Sequence, residues 1–466
     1  MRLISGCLCL SMISGCGSKQ PTDPASADQS GAVPLSIGSH ATHSERGQLT
    51  DSAPSIFEPA IQQFVDKARQ AVVNGLPRVA IEALSQAISV NPGDARLLRM
   101  RADVYVLSRE LANARADFST AIRTDPDNAE LYNVRGYFLM MNAIRKEALA
   151  DFNKAIELKP FYAAAWNNRG LIYLATGSHS MAEQQFRKAV ENDENYADGW
   201  NNLGFSRFKQ GRLDEALVNI QQAIRLNAKY VAAWNNCGLI HMQKEDYEAA
   251  EEAFSRAVEF APMDPRWYNH RRAALLKLER FDEAAQDNRK VLWLAQLSRL
   301  TRHARSDLRD PERWIARGDW LAEGDEHGAA IQDYSRALNL QPGSMAALNA
   351  RARAWAETGD LQQAISDCDE SLVIQPSQEA YSIRGDAWLA MNNLDQAIQD
   401  YESAQRFDEQ IAEAYRLRAA SRLKAGDETR AKEDQEAAQR ISDAMEGRLS
   451  ENRPAIPEPV PFPDAK

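Results

Sequence analysis

Cysteine and histidine are scarce in this 466-residue sequence, which contains five cysteines and seven histidines. Cys237 and Cys368 fall on helical packing positions far apart in the chain, so neither a disulfide nor a cysteine-bound metal is indicated. The histidines are scattered and lack the spacing of metal ligands. The sequence also lacks a glycine-rich phosphate loop, a nucleophile elbow and a zinc-protease helix. We therefore expect no metal, no cofactor and no catalytic activity.

An excess of positive charge is missing as well. The chain has 55 lysines and arginines against 66 aspartates and glutamates, which gives a net charge of −11. Nucleic-acid binding rewards a concentrated basic face, so we expect no nucleic-acid partner. Beyond the amino terminus, no apolar run is long enough to span a membrane.

An alanine recurs at a nearly constant interval through most of the chain. Its first seven positions are 34 residues apart, and after one longer step it returns at four further positions: Ala80, Ala114, Ala148, Ala182, Ala216, Ala250, Ala284, then Ala330, Ala364, Ala397 and Ala431. A fixed period in this range is the signature of a solenoid, in which each repeat buries its apolar face against its neighbours. Such a stack offers a long concave surface and no enclosed pocket, which favours a function in holding other proteins.

Other residue types keep a fixed distance from each alanine. Before Ala182, for example, a large ring lies at Trp166 and a small residue at Gly170. After it, a bulky residue and another small one follow at Phe186 and Ala189. Spacings of three, four and seven residues are helical. A glycine often separates two such segments and a proline closes several units, so each unit is predicted to be two antiparallel helices.

This pattern of ring, small residue, alanine, bulky residue, alanine and proline resembles the tetratricopeptide repeat family. The resemblance covers about residues 61–446 and accommodates eleven units. It implies an all-α fold, a right-handed α-solenoid whose first helices line an inner groove and whose second helices lie outside. We assign units 1–7 to residues 56–296 and units 8–11 to residues 311–446. Unit 7 departs most, because Arg272 replaces the small residue and Asn288 the bulky one.

Twelve residues beyond one period separate the seventh repeat alanine from the eighth. We assign an arginine-rich insert to residues 297–310. It forms either an extended second helix followed by a loop, or a hinge between two stacks. At the far end, residues 447–466 are a proline-rich tail that we expect to be disordered.

The amino terminus resembles that of a bacterial lipoprotein. A short apolar run ends in Ile13-Ser14-Gly15 before Cys16, as in the lipobox that precedes a lipidated cysteine. We therefore expect residues 1–15 to be a signal peptide and Cys16 to carry lipid, at the start of a disordered tether over residues 16–55. Because glycine rather than aspartate follows the cysteine, the resemblance implies anchoring at the outer membrane, facing the periplasm. The alternative is a soluble protein with a chance tetrapeptide.

Arginines and acidic residues recur together. Arginine lies thirteen residues before the repeat alanine in eight units, and an aspartate follows sixteen residues after the arginine in seven of them. The eighth unit has Gln185 at that position. Where the arginine is absent, at Lys67, Leu203 and Cys237, the acid is absent too. This co-occurrence predicts an ion pair between the two helices of a hairpin rather than an anion-binding site.

Units 4–6 each carry the sequence Trp-Asn-Asn on the first helix. By resemblance to the family, the second asparagine of each pair lines the inner groove: Asn168, Asn202 and Asn236. Some tetratricopeptide proteins use such a ladder to grip an extended peptide, and a carboxamide suits this task because it both donates and accepts hydrogen bonds. An apolar strip for alternate side chains of the peptide lies beside them: Leu171, Phe205 and Leu239. The alternative is that these asparagines are solvated and bind no ligand.

Together these features predict a non-enzymatic, membrane-anchored scaffold that binds an extended peptide or a partner protein in its groove. By resemblance, such a lipoprotein assists the assembly of an envelope, pilus or secretion complex. Two alternatives stay open: an auxiliary factor in cell-wall polysaccharide synthesis or export, and self-assembly through the ends of the solenoid.

Overall fold

The computed structural model of the protein describes residues 57–445, which contain 22 α-helices and no strand. The helices are α1 (Pro59–Val73), α2 (Pro77–Val90), α3 (Ala95–Leu107), α4 (Leu111–Thr124), α5 (Ala129–Met141), α6 (Arg145–Leu158), α7 (Ala163–Ala175), α8 (His179–Asn192), α9 (Ala197–Lys209), α10 (Leu213–Leu226), α11 (Val231–Gln243), α12 (Tyr247–Phe260), α13 (Pro265–Lys277), α14 (Phe281–Ser306), α15 (Pro311–Glu323), α16 (His327–Leu340), α17 (Met345–Glu357), α18 (Leu361–Ile374), α19 (Gln378–Ala390), α20 (Leu394–Ser403), α21 (Glu409–Lys424) and α22 (Glu428–Met445). The predicted signal peptide, Cys16, the tether and the tail lie outside the described residues.

Consecutive helices pair into eleven hairpins, from α1 with α2 to α21 with α22; in the seventh, α13 and α14 are joined by hydrogen bonds from Arg271 to Asp287. Short connections such as residues 74–76 join the two helices of a hairpin, which therefore run antiparallel. The all-α fold and the eleven predicted helix-turn-helix units are confirmed. Hairpins are numbered below in the same order as the units.

The described chain divides into two compact units, one ending at Asp287 and the other beginning at Asn288. Helix α14 is continuous from Phe281 to Ser306 and contains this division. The insert assigned to residues 297–310 comprises the last turns of α14 and the short connection to α15. A hinge at the insert stays a prediction.

One backbone position in every hairpin turn has a left-handed conformation. Glycine occupies this position in five hairpins, with φ between 70° and 86°: Gly75, Gly177, Gly211, Gly359 and Gly426. Other residues adopt it in the remaining six, with φ between 58° and 62°: Arg109, Ala143, Glu245, Glu279, Asp325 and Asn392. Glycine suits the position because it has no Cβ to clash with the backbone. The packing of the two helices thus imposes one turn geometry whether or not glycine is present.

Close approach of the two helices explains the small residue on the first helix. A Cβ added to Gly238 would lie 2.5 Å from Cε1 of Phe254, and one added to Gly170 would lie 2.6 Å from Cε1 of Phe186. The ring of the second helix therefore packs directly on the backbone of the first. Such dense packing leaves no room for a larger residue without movement of the ring.

The predicted arginine–aspartate pairs are confirmed in all seven hairpins, and each aspartate accepts from both Nε and Nη2 of its arginine. The pairs are Arg101–Asp117, Arg135–Asp151, Arg271–Asp287, Arg317–Asp333, Arg351–Asp367, Arg384–Asp400 and Arg418–Asp434. Arg169 instead donates to Oε1 of Gln185 at 3.0 and 2.6 Å. Because this partner carries no charge to offset burial, the pKa of Arg169 is lowered. These arginines are structural, as the sequence predicts.

A different ionic cluster joins hairpins 4 and 5, where hairpin 5 lacks the regular pair. Glu183 of α8 is buried and accepts from three arginines and one glutamine. The donors are Arg187 (3.1 Å), Arg207 (3.1 Å), Gln210 (3.0 Å) and Arg212 (2.8 Å). Burial alone would raise the pKa of Glu183, but these donors lower it to about 2. The cluster was not evident from the repeat phases, because it occurs in one place only.

The buried thiols of the described chain are chemically inert. Cys237 and Cys368 are free and buried, and burial raises their pKa to about 11 and about 12. Thiols with such values are unreactive at neutral pH. No helix within residues 57–445 is both long and apolar enough to cross a bilayer.

Candidate functional site

The three Trp-Asn-Asn sequences lie on α7, α9 and α11, the first helices of hairpins 4–6. Each indole N–H donates at 2.8 Å to a backbone carbonyl six residues earlier, in the connection before its helix: Trp166 to Pro160, Trp200 to Glu194 and Trp234 to Ala228. Trp200 and Trp234 also pack against the apolar cluster that contains Ile220. The tryptophans therefore fix the connection that enters each first helix.

The asparagines bond to one another across hairpins. In each case Nδ2 of the second asparagine donates to Oδ1 of the first asparagine of the preceding hairpin. These bonds are Asn168 to Asn133 at 3.0 Å, Asn202 to Asn167 at 2.9 Å and Asn236 to Asn201 at 2.9 Å. Within two pairs the first asparagine also donates to the second: Asn167 to Asn168 at 3.5 Å and Asn201 to Asn202 at 3.3 Å. A continuous chain of amides, the amide network, thus runs through hairpins 3–6.

Aromatic side chains contact the asparagines of the first and last of these hairpins. Asn133 donates to the hydroxyl of Tyr162 at 3.3 Å. In hairpin 6, Nδ1 of His270 from hairpin 7 lies 2.6 Å from Oδ1 of Asn235, which neighbours Asn236 in the sequence. An oxygen acceptor requires a proton on this Nδ1. Burial, and then the charge of Arg266, lowers the pKa of His270 and favours the neutral ring.

The network changes how the predicted ladder can act. Asn168 is buried, with 7% of its surface exposed, whereas Asn202 and Asn236 are half-buried. A carboxamide has two donor hydrogens and two acceptor lone pairs. Asn202 uses one donor on Asn167 and one lone pair on Asn201. One donor and one lone pair of Asn202 are therefore uncommitted to the network.

The predicted apolar strip is only partly available to a ligand. Leu171, Phe205 and Leu239 are all half-buried, and they pack against the clusters around Phe186 and Phe254. The ammonium of Lys209 lies 5.3 Å from the ring centre of Phe205. One side of each apolar residue supports the core, and the other can contact a bound chain.

Sequence reasoning missed two residues of this region. The hydroxyl of Tyr230 donates to Oδ1 of Asp198 at 2.5 Å, and burial raises the pKa of this tyrosine well above its usual value. Asn133 extends the network into hairpin 3, where no Trp-Asn-Asn sequence occurs. The spacing of 35 residues between bonded amides was the available signal, since it repeats at Asn133–Asn168 and at two later steps.

Neither a metal site nor the predicted lipidation site is found among the described residues. Between residues 57 and 445, no group of three or more histidine, cysteine or acidic side chains could hold a metal ion. Cys16, the predicted lipidation site, lies outside the described residues.

Comparison with known families gives one clear match. A tetratricopeptide repeat model matches residues 65–129, 145–197, 202–265 and 315–380, which is more than half of the chain. No curated protein matches the sequence.

Solved structures of the same type resemble parts of the chain. The structure of YrrB, described as a tetratricopeptide protein with an unusual peptide-binding site, is 26% identical, covers 39% of this chain and 94% of its own, and has a TM-score of 0.32. PilW, described as a widely conserved type IV pilus biogenesis factor, is 19% identical, with coverage of 47% and 100% and a TM-score of 0.41. TTC0263, a thermophilic protein of Thermus thermophilus, is 22% identical, with coverage of 37% and 95% and a TM-score of 0.32.

Proposed function

The chain belongs to the tetratricopeptide repeat family, and we propose that it is a membrane-anchored scaffold that holds an extended segment of a partner protein. Proteins of this family bind peptide or protein partners and are generally scaffolds rather than enzymes. We propose the same function for this chain, with the partner segment bound on hairpins 4–6. By holding this segment, the protein would assist the assembly of an envelope, pilus or secretion complex.

The observation that carries the proposal is the half-exposed state of Asn202 and Asn236 within the amide network. The network holds each carboxamide in one orientation, so little side-chain entropy is lost when a ligand binds. The uncommitted donor and lone pair of Asn202 suit the C=O and N–H of an extended backbone. Each such bond contributes about 0.5–1.5 kcal/mol, so the apolar contacts of Phe205 and Leu239 must supply further affinity.

Asn168 is buried, so its proposed role differs from that of Asn202 and Asn236. Its bond to Asn133 positions the row, and direct contact with a ligand falls mainly to the two more exposed asparagines. This ordering follows from burial and refines a ladder of three equal members.

The test is a crosslinked pull-down from envelope extracts with two matched triple variants. The ligand variant changes Asn168, Asn202 and Asn236 to alanine. The control variant changes Asn133, Asn167 and Asn201 to alanine, which breaks the same three bonds from the acceptor side and leaves the groove amides in place. Melting temperatures of both variants are measured alongside.

Partners lost from the ligand variant and retained by the control support the groove, and competition by extended peptides would strengthen that result. Equal losses in both variants would mean that the amides act only by holding the hairpins together. If both variants retain all partners, the proposed grip is refuted.

Membrane attachment through Cys16 is a separate part of the proposal. Several acyl chains contribute on the order of 0.8 kcal/mol per buried methylene, which makes attachment stable. Cys16→Ala is therefore expected to move the protein from the membrane fraction to the soluble fraction. Unchanged fractionation would refute the anchor without affecting the groove.

A further inference from the structure

Helix α14 carries an unusual segregation of charge after its first two turns. Residues 288–306 contain no aspartate or glutamate and five lysines or arginines: Arg289, Lys290, Arg299, Arg302 and Arg305. Arg309 follows in the connection to α15. The chain as a whole has a net charge of −11, so this stretch differs from the rest in sign.

Part of this stretch forms one exposed side of the helix. Leu292, Ala295, Arg299 and Arg302 are exposed, and their spacings of three and four place them on one side of the helix. Arg305 is exposed beside them. The opposite side faces the core of hairpin 8, where Ala304 is buried together with Trp314 and Leu348, with Trp293 and Leu297 packed against them. Residues Leu292, Ala295, Arg299, Arg302 and Arg305 are named the basic face.

The arginines of this face have no structural task within the described residues. Arg299, Arg302 and Arg305 form no ion pair or side-chain hydrogen bond with any other residue between 57 and 445, and the guanidinium of Arg309 forms none either. The repeat arginines, by contrast, are each bonded to a second helix, as Arg317 is to Asp333. Four uncommitted guanidinium groups in succession therefore provide a site for an anionic partner.

We propose that the basic face docks on an anionic phospholipid surface. Leu292 and Leu308, at the two ends of the cationic segment, have 62% and 61% of their surface exposed. Apolar side chains among cations suit the boundary between headgroups and acyl chains, whereas they add nothing to a purely carboxylate partner. The face is also the outward side of a single helix, which suits a broad surface better than an inserted peptide. A basic residue near such a surface strengthens partition about fivefold.

The proposed docking does not depend on Cys16, so its test uses the full chain carrying Cys16→Ala. Binding is measured by co-sedimentation with vesicles of phosphatidylcholine alone and of phosphatidylcholine with phosphatidylglycerol. The basic-face variant carries Arg299→Gln, Arg302→Gln and Arg305→Gln. The control variant carries Arg78→Gln, Arg109→Gln and Arg145→Gln, which removes the same charge from exposed arginines in the first compact unit that also form no ion pair within the described residues.

The expected result is binding to the anionic vesicles only, reduced roughly 100-fold in the basic-face variant and much less in the control. Added salt should weaken the binding of the unsubstituted chain, because the charges are exposed. Equal binding to both vesicle types, or equal loss in both variants, would overturn the proposal. Binding to poly-glutamate is measured in the same way. If the basic-face variant loses binding to poly-glutamate but binds vesicles as before, the proposal is overturned and the partner of the basic face is an acidic protein segment instead. Because partner capture by the groove is measured separately, failure here leaves the proposed scaffold function standing.

Discussion

In seven of the eleven hairpins a buried aspartate on the second helix is paired with an arginine on the first. Asp333 has no exposed surface and accepts from both Nε and Nη2 of Arg317. Removing the carboxylate strands the guanidinium, so Asp333→Ala is expected to lower the free energy of unfolding by about 3–5 kcal/mol. Adding Arg317→Leu should recover part of the loss, because the stranded charge is then removed. Urea unfolding of the single and double variants measures this coupling, and strictly additive losses would contradict it.

Left-handed turn positions offer a second test at this scale, since six of eleven lack glycine. Ala143 has φ of 61° and is exposed. Replacing it by glycine removes the steric cost of Cβ, about 1–2 kcal/mol, and returns some of that gain to the unfolded chain. Ala143→Gly is therefore expected to raise the free energy of unfolding by about 0.5–1 kcal/mol.

The control for this turn is the same chemical change inside a helix. Ala116 is exposed in the middle of α4, and Ala116→Gly should destabilise by about 1 kcal/mol. Thermal melts of the two variants should shift in opposite directions. A downward shift for both would show that the turn carries no strain.

Residue pairs also show what the sequence could reveal. The arginine–aspartate pairs were predictable because both members are present or absent together in each unit, apart from Gln185. The bonds between asparagines follow the same logic, but one partner lies in the preceding unit. Comparing positions only within a unit, as for Asn168 alone, therefore suggested a free ladder and missed the bond to Asn133.

At the scale of the helices, α8 contacts the next hairpin through the charged cluster around Glu183. Its pKa is lowered from 4.5 to about 2, so the folded state binds this proton less readily than the unfolded state does. Stability from this group is therefore fully present above about pH 4.5 and is lost as the pH falls through about 2. At neutral pH the shift corresponds to about 3 kcal/mol.

The comparison of interest is between the unsubstituted chain and Glu183→Gln. At pH 7 the variant should be less stable by roughly 3 kcal/mol, and the difference should shrink steadily between pH 4.5 and 2. Urea unfolding at several pH values, followed by the total tryptophan fluorescence of the chain, measures it. A difference that is independent of pH would show that the charge on Glu183 does not stabilise the junction.

The end of helix α14 is an element boundary that the sequence alone did not predict. The twelve additional residues were evident from the broken period, and both an extended helix and a hinge were compatible with them. The helix continues to Ser306 because its inner side, including Leu294 and Ala304, is buried. That burial depends on hairpin 8, so the local pattern around residues 297–310 did not determine it.

At the scale of the whole molecule, the repeat made the fold predictable. Each hairpin contacts mainly its neighbours, and eleven copies of one pattern reinforce the assignment of each. The same regularity hides function, because a groove residue such as Asn202 has the same phase whether it binds a ligand or a neighbour. Deviations from the pattern, such as Glu183 and the basic face, therefore carry most of the information specific to this chain.

The amide network should make hairpins 3–6 open together, which gives a final prediction within the first compact unit. Asn201 bonds to Asn236 in the next hairpin and to Asn202 in its own. Asn219 is buried to a similar extent but donates only to the carbonyl of Glu215 in its own helix. Asn201→Ala should therefore loosen several hairpins, and Asn219→Ala should loosen mainly α10.

Native-state hydrogen exchange distinguishes the two cases. Leaving a buried side-chain amide unpaired costs about 1–3 kcal/mol. Backbone amides that exchange by joint opening of the hairpins should therefore exchange about tenfold faster or more. In Asn201→Ala this acceleration should extend across hairpins 4–6. Hairpins 5 and 6 lose the bond between Asn201 and Asn236, and hairpin 4 is joined to hairpin 5 through Asn202. In Asn219→Ala it should decay within hairpin 5. If both variants give the same local pattern, nearest-neighbour packing alone couples these hairpins, and the network serves to orient the groove amides for a ligand.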